Sequence, residues 1–258
     1  MAIWRACLLC TLAMLLPRAA DAGCAPIAFG EPRVLAAAAS PDTIAITFLG
    51  HASFLIETPG GVRAVTDYNG FNVPTDPPDI ATMNHAHSTH YTDHPDPRIR
   101  YVLHGWQDDG RPAQIDLTVG DLHVANLPTN IRDWQGGTEV YGNSIFLFES
   151  AGLCIAHLSH LHHLLTEQDL VLLGHIDVVM APVDGVYTMS QPDMAQVLDQ
   201  IHPRLVLPMH YFTRDVVARF ADLVRDRYAV RFSDSPTLLL SRATLPERPT
   251  MLVLPGGY

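Results

Sequence analysis

Short hydrophobic runs, separated by turns that contain glycine and proline, occupy the first half of the chain after residue 42. Runs of four to eight residues with this punctuation predict β-strands. The predicted strands are Thr43–Phe48, Ser53–Glu57, Val62–Thr66, Asp79–Thr82, Ile99–Leu103, Gln114–Thr118 and Leu122–Ala125. Pro59-Gly60-Gly61 lies between the second and third of these strands and predicts a hairpin turn. The pattern therefore predicts a sheet-rich N-terminal half.

Helical segments occur between the strands in the second half of the chain. The strands predicted here are Asn143–Glu149, Leu153–His157, Ile176–Ala181, Leu205–Leu207, Val230–Phe232 and Leu238–Leu240. Helices are predicted to begin after the capping residues Thr166, Ser190 and Thr213. Residues 127–141 follow neither pattern and predict a long loop, of the kind that can serve as a lid. Strands followed by strand–helix alternation predict an α/β or α+β fold.

The first 22 residues have the pattern of a secretory signal peptide. Arg5 supplies a positive charge, residues 6–16 are mostly apolar, and Ala20-Asp21-Ala22 forms an A-x-A cleavage site. Cleavage there leaves a linker over residues 23–42 and one domain over residues 43–258, and it predicts a periplasmic or secreted protein. The alternatives are an uncleaved membrane anchor and a lipid attached to Cys24. Because the apolar run is too short to span a bilayer comfortably, we expect no stable membrane insertion after cleavage.

Composition narrows the classes of function. The 258 residues, 48% of them hydrophobic, are enough for one large core. Acidic residues outnumber basic ones by 27 to 16, so nucleic acid is not an expected partner. Every basic residue is an arginine, and the lack of lysine excludes Schiff-base chemistry and a P-loop. Cys154 lies in a predicted strand, where a buried free thiol is the commoner case; a disulfide to Cys24 is the alternative.

A first cluster of histidines follows the strand that ends at Thr82. Residues two apart in an extended chain point the same way, so His85 and His87 can face one point beyond the strand end. If a helical turn begins at Ser88, His90 can reach that point as well. Three converging neutral imidazoles suit a borderline cation such as zinc. The alternative interpretation is a set of surface-loop histidines.

A second cluster follows the predicted strand Leu153–His157. His157, His160, His162 and His163 occur within seven residues, which is more than packing alone usually requires. One further histidine, His210, also follows a predicted buried strand, Leu205–Leu207. The remaining internal histidines are scattered, and we expect ordinary surface or packing roles for them: His51, His104, His123, His175 and His202.

Several segments carry a family resemblance. They are Ile46–Thr58 with Asp67, His85–His90, His157–His163, Ile176–Gly185 and Leu205–Tyr211. Together they resemble the metallo-β-lactamase superfamily, in particular its branch of ascorbate-phosphate-lactonase-like metal-dependent hydrolases. The resemblance implies a four-layer αββα sandwich. It departs from the family where H-x-H-x-D-H has Thr89 for aspartate and where His160 replaces the metal-bridging aspartate. Residues 128–133 also lack the family's single histidine.

The clusters and the resemblance together predict the metal ligands His85, His87, His90, His160 and His210. His85, His87 and His160 would form a three-histidine face that leaves one coordination position open for water, as in catalytic zinc sites. His90 and His210 would complete that site, bind a second ion weakly or carry protons. Because imidazoles are neutral and replace carboxylates, we expect about one tightly bound ion. Zinc is expected, with iron or manganese as alternatives.

Three further residues are expected to support this centre. His162 and His163 are candidates for general acid or base. Asp67 is expected to orient the histidine loop through hydrogen bonds rather than to bind the ion. The resulting hypothesis is a secreted metallo-hydrolase that acts on a small ester, lactone, phosphoester or amide. The alternative is a periplasmic metal- or ligand-binding protein without hydrolytic activity, and a redox enzyme with iron is a further possibility.

Overall fold

The computed structural model describes residues 42–133 and 135–256, which form two mixed β-sheets and three helices. The strands are β1 (Ile44–Gly50), β2 (Ser53–Glu57), β3 (Arg63–Val65), β4 (Ile80–Met83), β5 (Tyr101–His104), β6 (Asp116–Val119), β7 (Leu122–Arg132), β8 (Thr138–Ser150), β9 (Leu153–His157), β10 (Val178–Pro182), β11 (Leu205–Met209), β12 (Ala229–Phe232), β13 (Thr237–Leu240) and β14 (Thr250–Val253). The helices are α1 (Glu167–Leu173), α2 (Gln191–Ile201) and α3 (Arg214–Val224).

The two sheets differ in size and strand direction. The six-stranded sheet has the order β13-β1-β2-β3-β4-β5, and its strands β3, β4 and β5 are parallel. The eight-stranded sheet has the order β12-β14-β11-β10-β9-β8-β7-β6, and β9 to β12 form its parallel part together with β14. The predicted α/β class and the two central sheets of the expected αββα sandwich are confirmed.

The main core lies between the sheets. Alternation along β1 turns Ile44, Ile46 and Phe48 inward, where they meet Phe146 and Phe148 of the second sheet. All five side chains are buried. Burying a side chain of this size contributes about 1.5–3 kcal/mol, so these residues add substantially to the stability of the sandwich.

Helices cover the outer face of the eight-stranded sheet through Leu173, Leu198 and Phe220. A capping box at Thr166 begins α1, and the Ser190 hydroxyl accepts the Asp193 amide at the start of α2, as the sequence predicts. Thr213 occupies the N-cap of α3 without a side-chain hydrogen bond. None of these helices combines the length and apolarity needed to cross a bilayer.

Loops cover the outer face of the six-stranded sheet within the described residues. Leu55, Val65 and Met83 face outward from its strands and are buried by loop residues such as Tyr68 and Trp106. This face therefore has no helical layer in the part of the chain that the structure describes.

Two expectations about the strands are wrong. Residues 127–141 belong mostly to a long hairpin of β7 and β8, not to a loop. Its alternation is concealed because a register shift between Thr129 and Ile131 interrupts it and polar residues occupy the outward positions. The second error is β14, which the sequence analysis missed and which lies between β11 and β12. Its short run is flanked by Pro249 and Pro255, which weakened the strand signal.

The expectation that Cys154 is a buried free thiol is also wrong. Cys154 is fully buried on β9 and is disulfide-bonded rather than free. Cys24, the partner considered above, lies outside the described residues, as do the predicted signal peptide and nearly all of the linker.

One edge of the sandwich collects the chain segments that follow several strands. β3 and β4 lead to Asp67 and to the first histidine cluster, while β9, β10 and β11 lead to His160, Asp184 and His210. Because parallel strands place their carboxyl ends at the same edge, these segments meet. The turn between β1 and β2 brings His51 to that edge, where the His210 amide donates to the His51 carbonyl at 2.7 Å.

Candidate metal centre

Four histidines converge at this edge. One ring nitrogen from each of His51, His87, His90 and His210 lies within 4.8 Å of the corresponding nitrogens of the other three. His90 and His210 are fully buried, and His51 is 6% exposed. The Nε2 atoms of His90 and His210 are 3.1 Å apart. The group therefore presents several nitrogen donors to one small volume.

Asp67 fixes the orientation of His90. Its Oδ2 atom accepts a hydrogen bond from His90 Nδ1 at 2.5 Å, which leaves Nε2 directed toward the other histidines. Asn84 and the Ser159 hydroxyl also donate to this fully buried carboxylate. Asp67 therefore makes the orienting contacts that the sequence analysis expects of it.

The same arrangement recurs at two other rings. Thr89 Oγ1 lies 2.8 Å from His87 Nδ1, and Asp184 Oδ1 lies 3.2 Å from His210 Nδ1. The first contact is a hydrogen bond, whereas the second is an ion-pair distance without hydrogen-bond geometry. In both cases an oxygen lies on the Nδ1 side, and Nε2 is the nitrogen directed toward the group. Thr89, the residue at the family's aspartate position, lies behind His87 and supports its ring.

The environment favours the neutral form of His51, His87 and His90. Burial, followed by the charges of His210 and His87, lowers the pKa of His51 to about 3. Burial also lowers the pKa of His87 below its usual value and that of His90 well below it, with neighbouring histidines as the next cause. A neutral imidazole has a free lone pair, which is the form that binds a metal ion.

Asp184 is held in its charged form. Burial raises the pKa of its carboxyl, but hydrogen bonding and charge from His210, together with the bond from Thr188, outweigh this and lower the pKa below its usual range. An anionic Asp184 beside His210 Nδ1 increases the donor strength of that ring.

His160 lies against the group without belonging to it. Its ring centroid is 5.0 Å from those of His87 and His90 and 5.2 Å from that of His210. The side chain is 4% exposed, and neither ring nitrogen has a hydrogen-bond partner among the described residues. Burial, then the charges of the neighbouring histidines, lowers its pKa to about 2. A buried imidazole with two unpartnered nitrogens indicates a missing partner.

His85 is separate from this group. Its Nδ1 atom lies 2.6 Å from Glu139 Oε1, and its ring stacks on Trp106 at a centroid distance of 5.2 Å, with Tyr91 on another side. The side chain is partly exposed. Its role as a metal ligand stays a prediction, and in this structure its partner is a carboxylate on β8.

His162 and His163 lie beyond the converging histidines. The Asn130 amide donates to His163 Nε2 at 3.2 Å, and His163 Nδ1 donates to the Leu164 carbonyl at 2.9 Å. Both ring nitrogens are therefore engaged by the backbone. Burial, then the charges of His163 and Arg132, lowers the pKa of His162, whose Nε2 has no partner among the described residues. Their acid–base roles stay predictions.

Backbone strain is concentrated around the group. His51, Asp67, Ser159 and His210 all have φ between 43° and 54°, a left-handed conformation that non-glycine residues seldom adopt. Such residues persist where the surrounding structure requires them, and they cluster at functional sites. Here the unusual backbone turns two ligating rings and their supporting residues inward.

Two residues of the centre were missed or left without a role by the sequence analysis. His51 is isolated between two strands and was expected to be ordinary, although its position after Gly50 at a strand end is a signal for this edge. Asp184 lies within a family-like segment, but no sequence pattern pairs it with His210. Both depend on contacts between distant parts of the chain.

The donor set is suited to a divalent metal ion. It offers four imidazoles, three of them with an oxygen at Nδ1, as metal-binding histidines usually have. The unpartnered Nε2 of His51 and the free nitrogens of His160 add buried donors that an ion would satisfy. Imidazole ligands favour zinc, iron, copper or nickel over calcium or magnesium.

Comparison with known proteins places these features in a family context. Residues 45–210 match the family described as the β-lactamase superfamily domain. A UPF0173 metal-dependent hydrolase of Methanosarcina barkeri is 25% identical over 210 residues, covering 67% of this chain and 86% of the relative. A UPF0173 metal-dependent hydrolase of Thermococcus onnurineus is 26% identical over 215 residues, covering 72% of this chain and 95% of the relative.

A solved structure from the same superfamily is also similar to this chain. A Thermotoga maritima protein, provisionally described as a zinc-dependent hydrolase of the metallo-β-lactamase superfamily, superposes with a TM-score of 0.61 at 26% identity. The match covers 83% of this chain and 100% of the other.

Proposed function

The chain belongs to the metallo-β-lactamase superfamily as a metal-dependent hydrolase, and on this premise we propose that it is an exported zinc enzyme acting on a small ester, lactone, phosphoester or amide. The observation that carries the proposal is the convergence of ligand nitrogens from His51, His87, His90 and His210 within 4.8 Å. These four residues are the proposed ligands, and His160 is the adjacent donor.

Each part of the centre has a defined task in this proposal. A bound divalent ion would supply Lewis acidity, which would polarise the substrate's carbonyl or phosphoryl oxygen and lower the pKa of water. Asp67 and Asp184 hold the Nδ1 sides of His90 and His210, so these rings need little reorganisation. His160 faces the same volume with free nitrogens, and it is the side chain available to hydrogen-bond a substrate or water there.

Metal content and hydrolysis together test this function. Protein purified without chelator should contain about one zinc ion per chain and should hydrolyse at least one member of an ester, lactone, phosphoester and amide panel. His90→Ala should abolish both properties, whereas His123→Ala, a change at a partly exposed histidine paired with Asp116, should retain them. Bound iron would instead favour redox chemistry. Zinc-loaded protein that hydrolyses none of the panel would contradict the proposal.

A second candidate is a metal- or ligand-binding protein without hydrolytic activity. The observation that favours it is the replacement of both family aspartates, by Thr89 and His160, which removes anionic ligands from the centre. A carrier should release its ion to a chelator within minutes and show no turnover, whereas an enzyme should retain the ion during catalysis. Chelator-release kinetics beside the hydrolysis panel separate the two.

Export is supported by two features. The N-terminal 22 residues have the signal-peptide pattern, and Cys154 is disulfide-bonded, a state typical of oxidising compartments. Mass spectrometry of periplasmic or secreted protein should show a chain that begins near Gly23. Recovery of intact chain with Met1 in the cytoplasm would contradict export.

A further inference from the structure

Two aromatic side chains, Tyr187 and Phe212, line the entrance to the metal centre and are called the aromatic wall below. A cavity of about 320 Å³ is lined by His87, Tyr187 and Phe212. The Phe212 ring centroid is 5.5 Å from that of His51 and 5.8 Å from that of His210, and Tyr187 packs edge-on against Phe212 at 5.7 Å. Any group that reaches His87 through this cavity therefore passes along aromatic surface.

The wall is exposed although it is apolar. Tyr187 is 57% exposed and Phe212 is 46% exposed, and the neighbouring Val186 is 69% exposed. Adjacent exposed apolar side chains at the mouth of a buried polar site mark a binding surface, because exposing them to water has no structural benefit.

The wall is also held in place. The Asp184 carboxylate accepts hydrogen bonds from the backbone amides of Val186, Tyr187 and Thr188 and from the Thr188 hydroxyl, and its Oδ1 atom lies 3.2 Å from His210 Nδ1. Gln191 adds hydrogen bonds to the carbonyls of Val183 and Val216 on the two sides of this region. One buried carboxylate thus holds the loop that carries the aromatic wall and lies beside a proposed ligand. A preformed surface of this kind loses little entropy when it binds a substrate.

The electrostatics of the entrance oppose an anionic substrate. The chain contains no lysine, and none of the residues that line the cavity is an arginine. The nearest ionisable groups behind the ligands are the carboxyls of Asp67 and Asp184, and the second is held in its charged form. Sites for phosphoesters usually supply arginine, lysine or several amide donors to the phosphate oxygens.

From these observations we infer that the centre acts on an uncharged carboxylic ester, lactone or amide whose reacting carbonyl carries an aromatic or similarly broad apolar group, held against Phe212 and Tyr187, and that phosphoesters are not substrates. The inference rests on the proposed function and narrows its substrate class. In the reaction, water oxygen bonds to the acyl carbon, the bond from that carbon to the leaving oxygen or nitrogen breaks, and a proton passes to the leaving atom. No oxidant or reductant is required.

Two hydroxamates test the wall independently of turnover. Both acetohydroxamate and benzohydroxamate chelate a metal through the same head group, and only the second carries a ring. Calorimetry on the metal-loaded protein should show benzohydroxamate binding about tenfold more tightly. Phe212→Ala should bring the ratio of the two dissociation constants close to that of the free metal ion. Phe232→Ala, which removes a 66% exposed ring on β12, should leave the ratio unchanged.

The outcomes separate the two proposals. Equal binding of both hydroxamates to the unmodified protein would overturn the aromatic-substrate inference and leave the metal-centred function intact. If neither hydroxamate binds, both the aromatic-substrate inference and the metal-centred function are overturned. Hydrolysis adds a second comparison, in which kcat/KM for phenyl benzoate should exceed that for phenyl phosphate at least a hundredfold. A preference for phenyl phosphate would overturn the inference while supporting the hydrolase.

Discussion

The Nε2 atoms of His90 and His210 face each other at 3.1 Å, although the two residues follow strands of different sheets. Each ring has a carboxylate on its Nδ1 side, Asp67 for His90 and Asp184 for His210. Two imidazoles fixed in this way share one proton or one metal ion between them. The carboxylates therefore determine where an ion would bind, even though neither is a member of the four-histidine group.

His90→Ala and His210→Ala should each remove most of the bound metal, because each change deletes a donor and leaves a buried carboxylate without its partner. Elemental analysis after exhaustive dialysis measures this. His123→Ala serves as the control, since that ring pairs with Asp116 and Glu149 away from the group. Retention of a full equivalent of metal by either of the first two variants would contradict the ligand assignment.

A contrast between His51 and His85 distinguishes this structure from the family pattern. His51→Ala should lower metal content strongly, because its Nε2 is a buried donor without a partner among the described residues. His85→Ala should change it little, because that ring contacts Glu139 and Trp106. The reverse result would restore the ligand set predicted from the sequence. His160→Ala, at the adjacent ring, is expected to give an intermediate loss.

Asp67→Asn should weaken metal binding by about 10- to 100-fold, the usual cost of losing a carboxylate behind a metal-bound histidine. The amide keeps the shape of the side chain but lacks the negative charge beside His90 Nδ1. Competition with a chromophoric chelator gives the affinity. Asp116→Asn, beside His123 and away from the centre, is the matched control. Unchanged affinity would show that Asp67 has only a packing role.

Thr89→Asp alone should leave about one ion per chain. The Thr89 hydroxyl lies on the Nδ1 side of His87, so a carboxylate there would support the same ring more strongly. The double change Thr89→Asp with His160→Asp restores both family carboxylates and should raise occupancy toward two. Metal stoichiometry after dialysis decides the matter, and two tight ions in the unmodified protein would refute the one-ion hypothesis.

The metal-free protein should lose stability as the pH falls below about 6.5. Burial, followed by the charges of neighbouring histidines, lowers the folded-state pKa of His51 to about 3 and that of His160 to about 2. The unfolded chain takes up protons near pH 6.5 while the folded chain does not, so acid favours unfolding. Each histidine lowers the free energy of unfolding by up to about 1.4 kcal/mol per pH unit across this window.

Urea unfolding of chelator-treated protein between about pH 7.5 and about pH 4.5 measures that slope. His51→Asn should flatten it by up to one proton's contribution, whereas His94→Asn, a change at an exposed histidine, should not alter it. An identical slope in the His51 variant would mean that this ring is protonated in the folded state.

Much of the fold is predictable because its signals are local. The strands Ser53–Glu57 and Leu153–His157 and the capping box at Thr166 match the sequence-based boundaries, since short-range pattern and capping chemistry determine them. The part of the β7–β8 hairpin over residues 127–141 was not predicted, because pairing between the two strands compensates for Pro128 and the polar residues that interrupt its pattern.

The centre itself was predicted only in part. His87, His90 and His210 stand out by their clustering or by their position at strand ends, and the structure brings them together. His51 was not selected in this way, because a single histidine in a two-strand turn has no signal other than its position at a strand end. Its place is determined by packing of the two sheets, including the backbone hydrogen bond to His210.

The distribution of the histidines over both layers has a consequence for folding. His51, His87 and His90 come from the six-stranded sheet, while His210 follows β11 of the other. An ion held by all four would cross-link the layers, so they could separate only by releasing it. Because the donors span residues 51 to 210, the ion can be captured only after the long-range contacts have formed. At a free metal concentration 100 times the dissociation constant, capture would add about 2.7 kcal/mol to the free energy of unfolding.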